Sequence, residues 1–505
     1  MMDRDYISIE KEIARTGFFS EYLPPCFKIN PKVFMRVPPE NCDLIEPYSY
    51  TMSRYNSNDA RRTIFIPEIG AYVVVCNYIS RENIVEELIE FTETEEASFS
   101  PILGKNDSIM RHEQSYNGTT DQLENISSDY IENIANKIIK SAGAKKVLKL
   151  DISNCYSSFY MHMIPAILLG VEEAECNYYK FLKNSSDQTI SSTYQKYQKL
   201  DKVLRRQNLN RTNGLLSGPL TSKMIAEGIF TRIDKELISE KIEFSRYVDD
   251  YEVYLFDDND KMIISIFTRV LKRYGFSLNN EKTEVVDFPY YVTDNFEKIF
   301  NGHKKKHMDN SDLMELFNAY FILERNGTKG AIRYLLKTLE QNPVEPSDPS
   351  LYKAYLLTII ENNERSLSKA CSLLIEKKEN LNLSESDIAL IKHMFDKHIR
   401  SEHDLEVLWL LYVLIETNNI HIDDPLVQQI VDSKNELAQI ILLRKELLGE
   451  EKIAQICSNA VSWILLYELY ASGFIAEEVF TSELNLNKNL HMYQYLKENN
   501  VHFCE

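Results

Sequence analysis

The stretch Phe244–Phe256, FSRYVDDYEVYLF, sets two carboxylates side by side between two half-apolar runs. Period-two alternation puts Phe244, Arg246 and Val248 on one side before the acidic pair, and Tyr251, Val253 and Leu255 resume the rhythm after it. Two strands joined at Asp249 and Asp250 make a tight hairpin, and aspartate is a favoured turn residue. Taken alone, the stretch reads as an acidic surface turn.

A second stretch changes that reading. KVLKLD (Lys146–Asp151) alternates as a strand and ends on a carboxylate. If it lies beside the hairpin, Asp151, Asp249 and Asp250 converge. Like charges so placed repel, and the cluster becomes economical once hard cations bind between the oxygens. Two Mg2+ ions held by such a group, with Mn2+ as a substitute, can activate an attacking hydroxyl and hold leaving phosphates.

These residues resemble the palm of reverse transcriptases. Asp151 followed five positions later by Tyr156 matches the first palm motif, and Tyr247-Val248-Asp249-Asp250 matches the third. NGLLSGPLTS (Asn213–Ser222) is similar to the second, with Gly214, Leu215, Gly218 and Ser222 on pattern and Leu216 where proline is usual. YGFSLNNEKTEV (Tyr274–Val285) resembles the fourth, with Gly275, Asn279, Lys282 and Thr283 in place. The wording DISNCYSSFYMHMIP, with His162 and Pro165, and the helical carboxyl-terminal half resemble the bacterial abortive-infection polymerases related to AbiK, including those carried by enterobacterial P2-like prophages.

The resemblance implies an α+β fingers and palm unit followed by an all-α, HEAT-like repeat domain in place of a thumb. Residues 1–125 would form the fingers and amino-terminal region, 126–300 the palm, and 301–505 the helical domain. Asp151, Asp249 and Asp250 become metal ligands and catalytic carboxylates. Tyr156 lies beneath the incoming sugar, Gly218 and Ser222 near nucleotide and template, and Lys282 faces phosphate or simply caps a polar loop. Arg61 and Arg62 match the triphosphate-contacting fingers segment, or are a solvated pair before a strand. The implied activity is antiphage, protein-primed, template-independent DNA synthesis from dNTPs by a homo-oligomer, a trimer or hexamer; the scattered cysteines and the unsignalled start are what point to a cytoplasmic protein. Its single-stranded DNA product stays covalently attached to a tyrosine. Tyr6, Tyr48, Tyr50 and Tyr55 are exposed-looking candidates for that residue. The rival readings are a template-dependent, RNA-directed DNA polymerase and a non-catalytic sensor of nucleic acid or phage protein.

The rest of the chain sets bounds. At 505 residues it exceeds one hydrophobic core, and 44% hydrophobic with 26% charged residues is a globular composition. A net charge of -19 opposes general coating of duplex DNA, whose non-specific affinity comes from neutralised phosphates. It also favours a polymerase tethered to its product over one gripping free duplex. Eight scattered cysteines form no CxxC, the start MMDRDYISIE lacks a signal pattern, and no apolar run approaches the length of a membrane span. RRTIFIPEIGAYVVVCNYIS (Arg61–Ser80) reads as strand-like, DYIENIANKIIKSA as helix, and the polar 104–122 as a loop. From Asp309 onward, apolar stripes recur at helical spacing between short turns, broken by the proline-rich NPVEPSDPS (342–350). HKKKH (His303–His307) is either a basic patch for nucleic acid or a linker. The doubly apolar WLLYVLIE and VSWILLYELYAS suit helices buried in the stack or at a subunit contact.

Overall fold

The computed structural model describes residues 4–53, 61–94, 96–104, 107, 109, 133–257, 259–291 and 296–505. A mixed α/β amino-terminal region leads into a largely α-helical carboxyl-terminal region. Strands β1 (Tyr48–Ser53) and β2 (Arg61–Ile66) form an antiparallel pair in which Ser53 faces Arg61. β3 (Lys146–Asp151), β4 (Phe244–Tyr247), β5 (Asp250–Leu255) and β6 (Glu284–Asp287) build a second antiparallel sheet in the order β4-β5-β3-β6. β5 is central because its residues are buried on both faces: Tyr251, Val253, Tyr254 and Leu255 are all in the core.

The reading of Arg61–Ser80 as strand-like holds only for its first part. β2 ends at Ile66, and Ile69–Arg81 is a helix. Glu68 caps it, its carboxylate accepting from the backbone N–H groups of Gly70 and Ala71. The misreading has a physical cause. Ile69, Tyr72 and Val73 enter one hydrophobic core while Ala71, Val74, Val75, Tyr78 and Ile79 enter another. A helix buried on two sides shows a continuous apolar run, and β-branched residues in such a run imitate a strand.

Those two cores organise the molecule. One gathers Phe18, Phe27, Val33, Tyr50, Ile64 and Ile66 together with the helical half as far as Cys504. The other gathers Ile9, Ile13 and the Ile84–Ile89 stretch with the four-stranded sheet and the helix Leu220–Ser239. The segment 26–28 pairs with the last residues of the chain: Lys28 donates its backbone N–H to the Phe503 carbonyl, and Glu505 donates to the Cys26 carbonyl.

The longer carboxyl-terminal helices are Asn310–Arg325, Ala331–Gln341, Pro349–Asn362, Glu364–Glu376, Glu385–Arg400 and Asp404–Glu416; the first packs on the second, the third on the fourth and the fifth on the sixth. The proline-rich segment separates the second from the third. Its Pro349 starts a helix, and Asp348 accepts from Ser350 N–H. The two doubly apolar helices are intrachain core, with Val407–Leu411 and Trp463–Tyr470 buried throughout. Around HKKKH the cations have local partners: Lys304 binds the Asn342 side chain, Lys305 pairs with Asp312, and His307 with Glu345. Among the described residues, no helix is long and apolar enough to cross a membrane.

Candidate active site

β3 and β5 pair so that Asp151 stands directly opposite Asp250. The hairpin between β4 and β5 turns on Val248 and Asp249, with Tyr247 opposite Asp250, so the turn lies one residue earlier than an Asp249–Asp250 tip. The shift matters chemically, since it makes Asp250 a strand residue facing Asp151 and leaves Asp249 in the turn beside them. Ile152 N–H donates to the Asp249 carbonyl at 3.3 Å, which fixes the two chain segments against each other.

Val248 sits at φ +56°, a costly conformation for a β-branched residue in the position where two-residue hairpins favour glycine. The surroundings hold it there. Ser100 Oγ accepts from Val248 N–H at 2.8 Å, and Arg246 Nη1 donates to the Val248 carbonyl at 2.9 Å. Arg246 is completely buried, and its guanidinium bonds Glu227 through both terminal nitrogens (2.8 and 2.9 Å) and Asp234 through Nε (2.8 Å). Tyr251 also donates to Asp234, and Ser98 to Glu227. Burial pushes the Asp234 carboxyl up to about 6, against the pull of Arg246. This network is the floor on which the carboxylate turn rests.

Above it, Asp151 is 6% exposed. Lys282 Nζ meets its Oδ1 at 2.7 Å and Asn279 Nδ2 its Oδ2 at 3.0 Å, while Asn279 N–H donates to the Asp151 carbonyl. Asp250 is open to solvent at its edge, yet surrounding protein withdraws enough water to push its carboxyl up to about 7, helped by the charge of Asp249 and a hydrogen bond with Asp151. Asp249 is also raised, by burial and then by the charge of Asp151. The three side chains are the hard oxygen type that Mg2+ takes, and a divalent cation would relieve their mutual repulsion; as arranged here their donor atoms do not all lie within 4.8 Å of one another, and Lys282 occupies Asp151 Oδ1.

The glycine-bearing loop docks on both sides of the site. Leu215 N–H donates to the Tyr156 carbonyl, and Phe65 N–H of β2 donates to the Ser217 carbonyl at 2.7 Å. Gly218 adopts φ +135°, and a Cβ there would lie 2.6 Å from the Phe65 carbonyl oxygen, so only glycine lets the loop lie against β2. Arg62, Ile64, Tyr156, Ser217, Gly218 and Lys223 line one pocket. The Tyr156 phenol is pushed well above its ordinary range by burial, and it feels the charges of Asp249 and Arg62.

Two expected site residues point elsewhere. Arg61 pairs with the buried Glu406 and, at 3.5 Å, with Glu364, and does not line the pocket beside Tyr156. Ser222 is 1% exposed within the helix Leu220–Ser239 and does not line the pocket. Of the tyrosine candidates, Tyr50 is not exposed, because β1 alternation turns it into the core at 1% exposure. The Tyr48 phenol is enclosed as well, and burial raises it well above its usual range. Tyr6 is half-buried beneath the Arg4 guanidinium, and Tyr55 lies outside the described residues.

Two features escaped sequence reading. Glu227 and Asp234 lie seven residues apart, two turns, within a helix that is buried over much of its length, a spacing that could have flagged a buried acidic pair awaiting Arg246. The other is a cluster of Glu364, His398 and His403, whose donor atoms all lie within 4.8 Å of one another and can coordinate a metal ion. No local motif announces it, because its members come from different helix ends.

No family model matches the sequence, and no curated protein matches it. Among solved structures, apo telomerase from Candida tropicalis is similar at 12% identity and a TM-score of 0.33, covering 80% of this chain and 70% of that one. Telomerase from Candida tropicalis with a TWJ fragment of telomeric RNA gives 13% and 0.30, with 74% and 65% covered. The Candida albicans counterpart gives 12% and 0.28, with 76% and 65% covered. This is a weak, low-identity likeness to a reverse-transcriptase-like fold, and at these scores it carries no argument.

Proposed function

We propose that this chain is a nucleotidyltransferase that joins deoxynucleotides at Asp151, Asp249 and Asp250. The observation that carries the reading is the register that sets Asp151 opposite Asp250, with Asp249 in the adjoining turn. The three carboxylates would hold Mg2+, or Mn2+ in its place, and the bound ion supplies the Lewis acidity that neutralises phosphate charge and lowers the pKa of an attacking hydroxyl. The protein's own contribution is positioning. Arg62 faces the pocket beside Tyr156 and is placed to meet triphosphate oxygens as a planar donor fork. Tyr156 walls the pocket where a sugar would lie, and its ring disfavours a 2′-hydroxyl there. Lys282 and Asn279 hold Asp151 by both carboxylate oxygens and so fix its direction. In this reading the four-stranded sheet is a palm, the β1–β2 pair belongs to the fingers, and the helical half stands where a thumb would.

Template-directed synthesis on RNA is the preferred form of the activity. The support is that Tyr48 and Tyr50 are enclosed and Tyr6 is covered by Arg4, which leaves Tyr22, which lines the pocket, as the described tyrosine to be tested for self-priming. The net charge of -19 favours the second form, protein-primed and template-independent synthesis in antiphage defence, because a tethered product needs little affinity for free duplex. One experiment separates them. Purified protein is incubated with Mg2+ and labelled dNTPs, with and without an RNA template and DNA primer, and the products are resolved before and after protease. Label appearing only with template and primer supports the first form; label that migrates with protein until digestion supports the second. Asp151→Asn and Asp249→Asn should each abolish incorporation with the circular dichroism spectrum unchanged, and retained incorporation in either would remove that residue from the mechanism.

A further inference from the structure

Glu364 begins one helix, His398 lies near the end of another, and His403 caps the start of a third. These three ends meet against β1 and β2. His398 is 1% exposed, and its Nδ1 faces His403 Nδ1 at 3.0 Å. His403 Nδ1 in turn lies 3.5 Å from Glu364 Oε1. A tetrahedral Zn2+ with bonds of about 2.0–2.1 Å places its ligand atoms about 3.3 Å apart, a value these two distances bracket.

The surrounding charge agrees with the distances. Glu364 offers Oε1 to His403 and Oε2 to Arg61, so one oxygen is directed at the histidines while the guanidinium orients the other. Asp404, which accepts from the Thr51 backbone, and Glu406, which pairs with Arg61, stand alongside. Glu364, Asp404 and Glu406 thus gather around Arg61 at a half-buried junction, with Arg62, Arg333 and Arg365 lining the adjoining pocket.

We propose that Glu364, His398 and His403 form a binding site for a borderline divalent metal of the Zn2+ class, separate from the carboxylate site. Two imidazoles and one carboxylate suit such an ion, whereas Asp151, Asp249 and Asp250 offer only hard oxygen. Three protein ligands leave a fourth position for water or an anion, and Glu364 also lines a pocket that includes Arg62, Arg333 and Trp409. The metal would fasten Arg61, and with it β2, to the helical half. This inference rests on the junction geometry and not on the polymerase reading.

The test uses full-length protein carrying Asp151→Asn and Asp249→Asn, so that the carboxylate cluster contributes no signal, stripped with chelator and titrated with Co2+. The expected result is the intense visible absorption of four-coordinate cobalt, saturating at one equivalent and displaced by Zn2+. Adding His403→Ala or Glu364→Gln should each remove it. Both residues are partly exposed, and circular dichroism checks that each variant folds. Zn2+ should also raise the thermal midpoint of the parent but not of the His403→Ala variant. Absence of the absorption, or its persistence in both variants, overturns the proposal.

Discussion

Removal of the Arg246 side chain tests the view that a buried ion network holds the carboxylate turn. Arg246→Met keeps the aliphatic bulk and deletes a guanidinium that is fully buried between Glu227 and Asp234. Breaking a buried pair by removing one partner costs about 3–5 kcal/mol, because the other charge is left uncompensated. Here two carboxylates are left, and the Val248 carbonyl also loses a charged donor, worth about 1.5–3 kcal/mol on its own and not additive with the first. A loss of about 4–5 kcal/mol at pH 8 follows. The pH dependence has a definite sign. Asp234 is already raised to about 6 in the intact network, and loss of Arg246 raises it further. Its folded value then lies far above the unfolded one, so the folded variant takes up a proton that the unfolded chain does not, and stability is lost as pH rises. The deficit measured by urea unfolding should therefore be smaller at pH 5.5 than at pH 8. Adding Glu227→Gln and Asp234→Asn to Arg246→Met should recover most of it at pH 8. A deficit below about 1 kcal/mol at pH 8, or one equal at both pH values, would refute the reasoning.

Three other perturbations follow from the site. Asp250 is held up to about 7 by burial, the charge of Asp249 and the hydrogen bond with Asp151, so its ionised form strains the fold above that value; Asp250→Asn should raise the thermal midpoint at pH 8 and have little effect at pH 4. Gly218→Ala forces a Cβ to 2.6 Å from the Phe65 carbonyl at φ +135°, a strain of about 1–3 kcal/mol, and should lower both the unfolding midpoint and nucleotide incorporation. Tyr156→Val opens the wall beside Arg62 and Gly218, and the ratio of ribonucleotide to deoxyribonucleotide incorporation should rise; an unchanged ratio would take Tyr156 out of sugar selection.

The carboxylate cluster was legible because its information is local. A strand that ends on Asp151 and a hairpin with adjacent aspartates need only pair in register for the acids to meet, and alternation fixes that register. The turn lies one residue earlier than the aspartate pair suggests because the left-handed residue is Val248, held by Ser100 from outside the hairpin and by the side chain of Arg246 on β4. The same limit explains Tyr50: an aromatic beside Ser49 and Thr51 reads as exposed until the helical half is seen to cover that face of β1. The Glu364–His398–His403 cluster was beyond reach, since its residues are brought together only by helix packing.

β2 shows why the two halves of the chain act as one object. Arg61 pairs with Glu364 and Glu406 on the helical half, while Arg62 lines both the pocket beside Tyr156 and the one that Glu364 and Glu406 border. A slip of one residue would either put Thr63 in the place of Arg62 or leave the buried Glu406 and the half-buried Glu364 without Arg61. The helical half therefore does more than cover a sheet edge. By binding Arg61 it fixes the end of β2 that also carries Arg62 to the pocket beside Tyr156, and Gly218, pressed against Phe65, fixes the same strand farther along. Substitutions at Glu406, remote from Asp151 in the chain, thus act on the candidate active site through the position of a single strand.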